Sequence, residues 1–233
     1  MISIGRNNEI RRKFFLEKTL LNLPSGLSII DVGAGEMANK VYTSHLNYTS
    51  QDFCQYNGTG DGVGLHTKVW DTNNIDIISD ICEIPVADNS FDVVLCTEVL
   101  EHVPDPVAAL KELARITKCD GQLIITAPFC SLTHFAPFHF CTGFSSYWYK
   151  KHLSDLNFEI NKFDHNGGWF DYLAQEIFRL PYIGKTYSSR TLGFTGFIFS
   201  LPLLFILSLL KKIDRGSHEM LTYGFHVVAI KSR

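Results

Sequence analysis

Through the first two-thirds of the chain, short apolar runs alternate with stretches whose apolar residues recur every three or four positions. That pattern belongs to β-α-β units and a parallel sheet. Residues 27–32 read as a buried strand running into a glycine turn, after which a helix is expected to open. Further strands are predicted near 46–51, 75–79, 91–96 and 121–127, with a Gly-rich loop over 57–64. The best-signalled helix lies between the last two. Asp105 suits its N-cap and Pro106 its first position, where the missing N–H is not needed. Val107, Leu110, Leu113, Ala114 and Thr117 then keep helical spacing, and Asp120-Gly121 closes the unit.

After Pro128 the pattern changes. Residues 129–149 are dense in aromatics and histidines, and 157–163 reads as a strand with 223–231 as its partner. Between them lies an uncharged stretch, 191–210, long enough for a membrane span. A full crossing would separate two strands that are expected to pair, and Gly193, Gly196 and Pro202 interrupt the run. Three readings stay open: a buried or dimer-forming helix, a hairpin dipping into one leaflet, or a true span with the strand assignment overturned. Lys211, Lys212 and Arg215 follow directly and suit anionic headgroups. The chain thus divides into an N-terminal helical segment (1–26), a sheet-forming core (27–165), a hydrophobic helical insertion (166–220) and the last strand of the sheet (221–233).

The 233 residues suffice for one domain with a sizeable core. A net charge of -3 argues against a nucleic-acid partner, which needs clustered Lys and Arg. Cys54, Cys82, Cys96, Cys119, Cys130 and Cys141 never form a C-x-x-C pair, so reduced thiols are expected rather than disulfides or a zinc site. Arg6, Arg11, Arg12 and Lys13 are not followed by the apolar run of a signal peptide. A cytoplasmic protein is expected, peripheral to the inner face of the membrane if 191–210 touches lipid.

The chemistry concentrates at Asp31-Val32-Gly33-Ala34-Gly35, where a strand enters a turn whose glycines let a ligand approach the backbone. Gly33-x-Gly35-x-x-Ala38 also matches a dinucleotide fingerprint. Asp31 tilts the choice, because a carboxylate there repels a pyrophosphate and attracts the ammonium group of a methionine moiety. Asp52, at the end of the second strand, is placed to accept ribose hydroxyls. Asp80 and Ile81 end the third, where a carboxylate takes an adenine amino group and the next N–H a ring nitrogen. Acids closing successive strands suit a ligand lying across the carboxyl ends of a parallel sheet.

These residues, with Ser90-Phe91-Asp92-Val93-Val94, Glu98-Val99-Leu100-Glu101-His102 and Asp120-Gly121, resemble the class I S-adenosylmethionine-dependent methyltransferases. The similarity is greatest to the branch with ubiquinone-biosynthesis-type small-molecule enzymes, and it covers roughly 27–165. It implies a Rossmann-like α/β fold: a seven-stranded, mostly parallel sheet with an antiparallel last strand. It also implies S-adenosylmethionine as methyl donor, held at Gly33, Gly35, Asp52, Asp80, Ile81, Cys96 and Thr97, with Asp31 beside them. Met37 stands where the family has a third glycine.

Methyl transfer from a sulfonium needs alignment, and a base only when the acceptor must lose a proton. His102, His134, His139 and His165 are the base candidates, and His134 and His139 fall in a loop that in the family faces the acceptor. The E-x-x-E-H cluster Glu98, Glu101, His102 matches one associated with a divalent metal in quinone-biosynthesis relatives. Relatives without metal share it, so a structural role and no metal are expected. The expected reaction is O-methylation of a small-molecule or lipid- or glycan-linked acceptor, with homodimerisation an open possibility. The alternatives are an NAD(P)-binding oxidoreductase and a non-catalytic membrane-associated relative.

Overall fold

The computed structural model describes residues 4–233, which divide into two compact units. A sheet unit comprises Lys13–Asp164 and Gly224–Arg233; a helical unit comprises the residues up to Arg12 and His165–Tyr223.

The sheet unit holds β1 (Ser28–Val32), β2 (Asn47–Asp52), β3 (Ile77–Ile78), β4 (Phe91–Thr97), β5 (Thr117–Pro128), β6 (Phe158–His165) and β7 (Gly224–Lys231). They lie in the order β3-β2-β1-β4-β5-β7-β6. β1 pairs in parallel with β2 and β4, β2 with β3, and β4 with β5, whereas β7 runs antiparallel to β5. This is the Rossmann-like sheet with a reversed last strand that the sequence predicts.

Apolar runs on the central strands are explained by burial on both faces. Alternate side chains leave opposite faces of a strand. Ile30, Val32, Val94 and Cys96 pack with α2 (Pro106–Ile116) and α3 (Ser146–Asp155) through Leu110, Leu113, Tyr149 and Leu153. Ile29, Val93 and Leu95 point the other way, onto Phe15, Leu16 and Leu20 of α1 (Asn8–Leu21). Truncating a side chain such as Leu110 to alanine in this core costs about 2–5 kcal/mol. α2 starts as the sequence indicates. Asp105 caps it, its carboxylate accepting the N–H groups of Val107 and Ala108 at 3.1 and 2.9 Å.

Three expectations fail. No α-helix opens after Gly35; the link to β2 is a series of turns and one 3-10 turn, Lys40–Tyr42. Met37 holds a φ of 54°, a left-handed conformation that a right-handed helix cannot pass through. The third strand shrinks to Ile77–Ile78. Asp120-Gly121 lies inside β5 rather than before it, with Asp120 at φ 61° and a register shift against β4 between Phe91 and Val93.

The helical unit holds α4 (Trp169–Tyr187), α5 (Arg190–Phe199) and α6 (Leu201–Lys212). Ile4, Ala174, Ile177, Leu204 and Leu207 form its core. α4 and α5 touch through glycine, since a Cβ on Gly184 would sit 2.6 Å from the Cα of Gly193. The 191–210 stretch is not one helix: α5 and α6 meet at a 47° bend, and among the described residues no single helix is long and apolar enough to cross a membrane. Nor is the stretch buried. α5 has no buried residue and α6 only Leu204 and Leu207, whereas Phe199 is 81% and Leu192 70% exposed.

Candidate functional site

The carboxyl ends of β1 and β2 are bound to each other by side chains. Gly33 enters the turn at φ 68° with its Cα face against Val99, where a Cβ would lie 2.4 Å from a methyl group. Its N–H donates to the Gln51 side-chain oxygen at 3.3 Å, and the same amide's NH₂ donates to the Ser79 carbonyl at 2.7 Å. Asp52 accepts the Gly35 N–H at 2.9 Å and the Cys54 N–H at 2.7 Å, one on each oxygen. An ionised carboxylate has about four acceptor positions, so two stay open for ribose hydroxyls. Asp31 is fully buried; one oxygen accepts the Tyr48 hydroxyl at 3.0 Å and the other has no partner. Burial pushes its carboxyl up to about 7, against the lowering pull of Tyr48 and Asn39.

Beside this turn lies a cavity of ≈ 220 Å³ lined by Gly33, Asp80, Ile81, Val99 and His102. Asp80 keeps one oxygen on the Cys82 N–H at 2.8 Å. A smaller cavity of ≈ 70 Å³ shares Gly33, Val99 and His102 and reaches Asp52 and Glu98. Cys96 and Thr97 do not line either; Cys96 is buried in β4, and the Thr97 hydroxyl accepts the Asn39 amide at 3.2 Å. The sequence reading missed Gln51, Phe53 and Gln55, and Phe138 and Phe140 opposite. Gln51 and Phe53 flank the expected ribose acid, which is the one signal that pointed to them.

The residues fit an adenosyl sulfonium. Asp80 and Ile81 line the larger cavity and Asp52 the smaller, Gly33 lines both and lets Val99 pack against its Cα, and Asp31 carries an unpartnered buried oxygen two residues before Gly33.

On the far wall, Leu100–His102 forms a 3-10 turn pinned to the 138–141 segment: the Glu101 carbonyl accepts the N–H groups of Phe140 and Cys141 at 2.9 and 3.1 Å. His134 is held by the Gly-rich loop. Leu65 bridges to it, and Gly64, at φ 81°, comes so close to Thr133 that a Cβ would lie 2.4 Å from its carbonyl oxygen. His102, His134 and His139 thereby converge, with ring nitrogens within 4.8 Å of one another. Glu101 is fully buried among them, 3.7 Å from His102 and 3.8 Å from His134, too far for hydrogen bonds. Burial pushes the Glu101 carboxyl up to about 7 and pulls His102 down to about 3, with the His134 charge adding to the fall. Burial lowers His134 too, but the neighbouring Glu101 more than offsets it and its basicity rises. Only His102 of the three lines the cavity. Glu98 is turned aside, accepting the Thr126 hydroxyl at 2.9 Å. His165 belongs to the helical unit, stacked on His218 at 3.6 Å.

A methyltransferase-domain family model matches residues 30–125. The demethylmenaquinone methyltransferase of Renibacterium salmoninarum is 36% identical over 186 residues, covering 78% of this chain and 70% of that protein. The Corynebacterium glutamicum protein of the same name is 30% identical over 125 residues, 54% of this chain and 50% of its own length, so the chain spans about half the length of several curated relatives it matches. Phosphoethanolamine N-methyltransferase 2 of Haemonchus contortus, solved with S-adenosyl-L-methionine, shares the fold at a TM-score of 0.55 and 13% identity, covering 96% of this chain and 53% of that one. Sheet order, the turn after β1 and this likeness agree: the chain belongs to the class I S-adenosylmethionine-dependent methyltransferases.

Proposed function

We propose that the protein binds S-adenosylmethionine across Gly33, Gly35, Asp52, Asp80 and Ile81, with Cys96 and Thr97 backing the site from β4. It transfers the methyl group to an oxygen of a small, amphiphilic acceptor. The observation that carries this reading is the cavity at the carboxyl ends of β1 and β3, lined by donor-site residues together with His102. Asp31 lies buried behind the turn with one oxygen unpartnered, and a bound cationic methionine end would favour its ionised form. The acceptor's reacting group meets the wall at His102, and His134 and His139 act through that ring. Curated relatives named as demethylmenaquinone methyltransferases support an acceptor of quinone-like size and polarity.

The exposed apolar residues of α5 and α6, followed by Lys211, Lys212 and Arg215, form an interfacial element that rests in one leaflet of an anionic, cytoplasm-facing membrane. That location suits a lipid-linked acceptor.

Calorimetry with S-adenosylhomocysteine tests the donor site; no heat, together with a thermal shift from NAD(P)H, would establish the oxidoreductase reading instead. Tritiated methyl transfer into lipid, glycan and soluble cell fractions identifies the acceptor class. Release of the label as methyl iodide by hot hydriodic acid separates an O-methyl from a C-methyl product.

A further inference from the structure

His102 donates its Nδ1 hydrogen to the Phe138 carbonyl, and His134 donates its own to the Leu132 carbonyl at 2.9 Å. Those bonds place the Nδ1 hydrogen of both rings and leave the His102 Nε2 as a bare lone pair, whereas His134, whose basicity Glu101 raises, can carry a second proton on its Nε2. Both Nε2 atoms point at the same Glu101 oxygen, 3.7 and 3.8 Å away. Neither Glu101 oxygen has a partner within hydrogen-bond distance, and the Nε2 of His102 and both ring nitrogens of His139 are likewise buried without one. Buried polar atoms that converge without hydrogen-bond partners are costly, typically ~1–3 kcal/mol for each unsatisfied group. Such a cluster is completed by a proton on His134 or by a cation held between the rings and the carboxylate.

We infer that His102, His134, His139 and Glu101 form a binding site for one divalent transition-metal ion of zinc type.

The donor set suits such an ion. Imidazole nitrogens select zinc and its first-row neighbours over magnesium and calcium, and three imidazoles with one carboxylate match a four-coordinate site. In a tetrahedral zinc site, ligands at about 2.0–2.1 Å from the ion stand about 3.4 Å apart. The Glu101-to-imidazole separations of 3.7 and 3.8 Å need to close by only a few tenths of an ångström, and the imidazole nitrogens, up to 4.8 Å apart, by more than that. The backbone carbonyls of Phe138 and Leu132 supply the outer hydrogen bonds that orient metal-binding histidines. Phe135, stacked on His102 at 5.1 Å, covers one face of that ring. The set differs from the E-x-x-E-H motif, because Glu98 is engaged with Thr126 and two of the three imidazoles come from the loop after β5. His102 is both ligand and cavity wall, so the ion would stand next to the acceptor.

The test uses the full chain, stripped with chelator, dialysed and titrated with Co²⁺ and Zn²⁺. One equivalent is expected to bind, with the visible absorption of low-symmetry, four- or five-coordinate cobalt, and zinc should displace it. His134→Ala and His139→Ala should weaken cobalt binding by roughly 100-fold or more, beyond what loss of an outer-shell partner costs. His45→Ala, on a histidine bonded to the Leu23 carbonyl, should leave it unchanged. Should an alanine variant misfold, diethylpyrocarbonate labelling of the wild type decides. Zinc must protect His102, His134 and His139; equal labelling with and without zinc overturns the proposal. So does an absence of cobalt bands in the wild type, or metal retained by folded His134→Ala and His139→Ala. Calorimetry with S-adenosylhomocysteine on the stripped sample reports on the donor site separately, so failure of one reading is distinguishable from failure of the other.

Discussion

The turn joining β1 to β2 and the imidazole wall facing it are both polar and buried, but their hydrogen bonds are closed to different degrees. Around the turn, Asp52 and Gln51 are occupied by backbone groups of the same unit, and Asp31 alone retains an unpartnered oxygen. Across the cavity, Glu101, His102 and His139 are left with five atoms among them that have no partner within hydrogen-bond distance. The first region is a finished piece of structure that presents a shape to a ligand. The second is an incomplete electrostatic arrangement that a ligand must complete. Buried polar groups are ordinarily satisfied, so the open side is where chemistry is to be sought.

Substitutions that treat the two regions unequally test that contrast. The largest effect is expected from Gly33→Val. A Cβ there would lie 2.4 Å from a Val99 methyl at a φ of 68°, so strain and overpacking together should cost roughly 2–4 kcal/mol and abolish S-adenosylhomocysteine binding by calorimetry. Next is Asp31→Asn, which should weaken that binding by more than tenfold, about 1.4 kcal/mol. The same variant should gain stability. With Asp31 raised from 3.8 to about 7 by burial, the folded state holds a proton that the unfolded state has lost between those values. Asp31 therefore subtracts stability as pH rises from about 4 to about 7, and the Asn variant lacks that loss. Melts at pH 5 and pH 8 should show the variant's advantage mainly at pH 8.

A smaller effect, of opposite sign in two conditions, is expected from Glu101→Gln. In metal-stripped protein it removes a buried carboxylate without donors and should raise the melting temperature. With zinc added the order should reverse, and S-adenosylhomocysteine affinity should change less than twofold in either. The smallest is Asp105→Ala, which removes the α2 cap at a cost of ~1 kcal/mol while leaving donor and metal binding untouched. It calibrates how much of any loss is stability alone.

Which parts were readable from sequence follows the same physics. β1, β4, β5, β7 and α2 are carried by local pattern and capping, and each appears within a few residues of its expected place. The helix after Gly35 was not foreseeable in its absence, because Met37 belongs to a residue type that seldom takes a left-handed conformation. His134 and His139 stand out by residue type, but their meeting with His102 and Glu101 does not. It depends on Leu65 bridging to His134 and on Phe140 and Cys141 docking on the Glu101 carbonyl, contacts between segments far apart in the chain. Phe53 and Phe138 were hidden for a similar reason, each being an ordinary loop aromatic until the other faces it, 5.0 Å away.

The Gly184–Gly193 crossing bears on the helical unit's choice of solvent. Where two helix backbones meet without side chains between them, the attraction is close-range dispersion, which hydrocarbon does not weaken as it weakens the hydrophobic effect. The joint between α4 and α5 therefore does not depend on surrounding water. A large residue at position 193 would wedge it open in both.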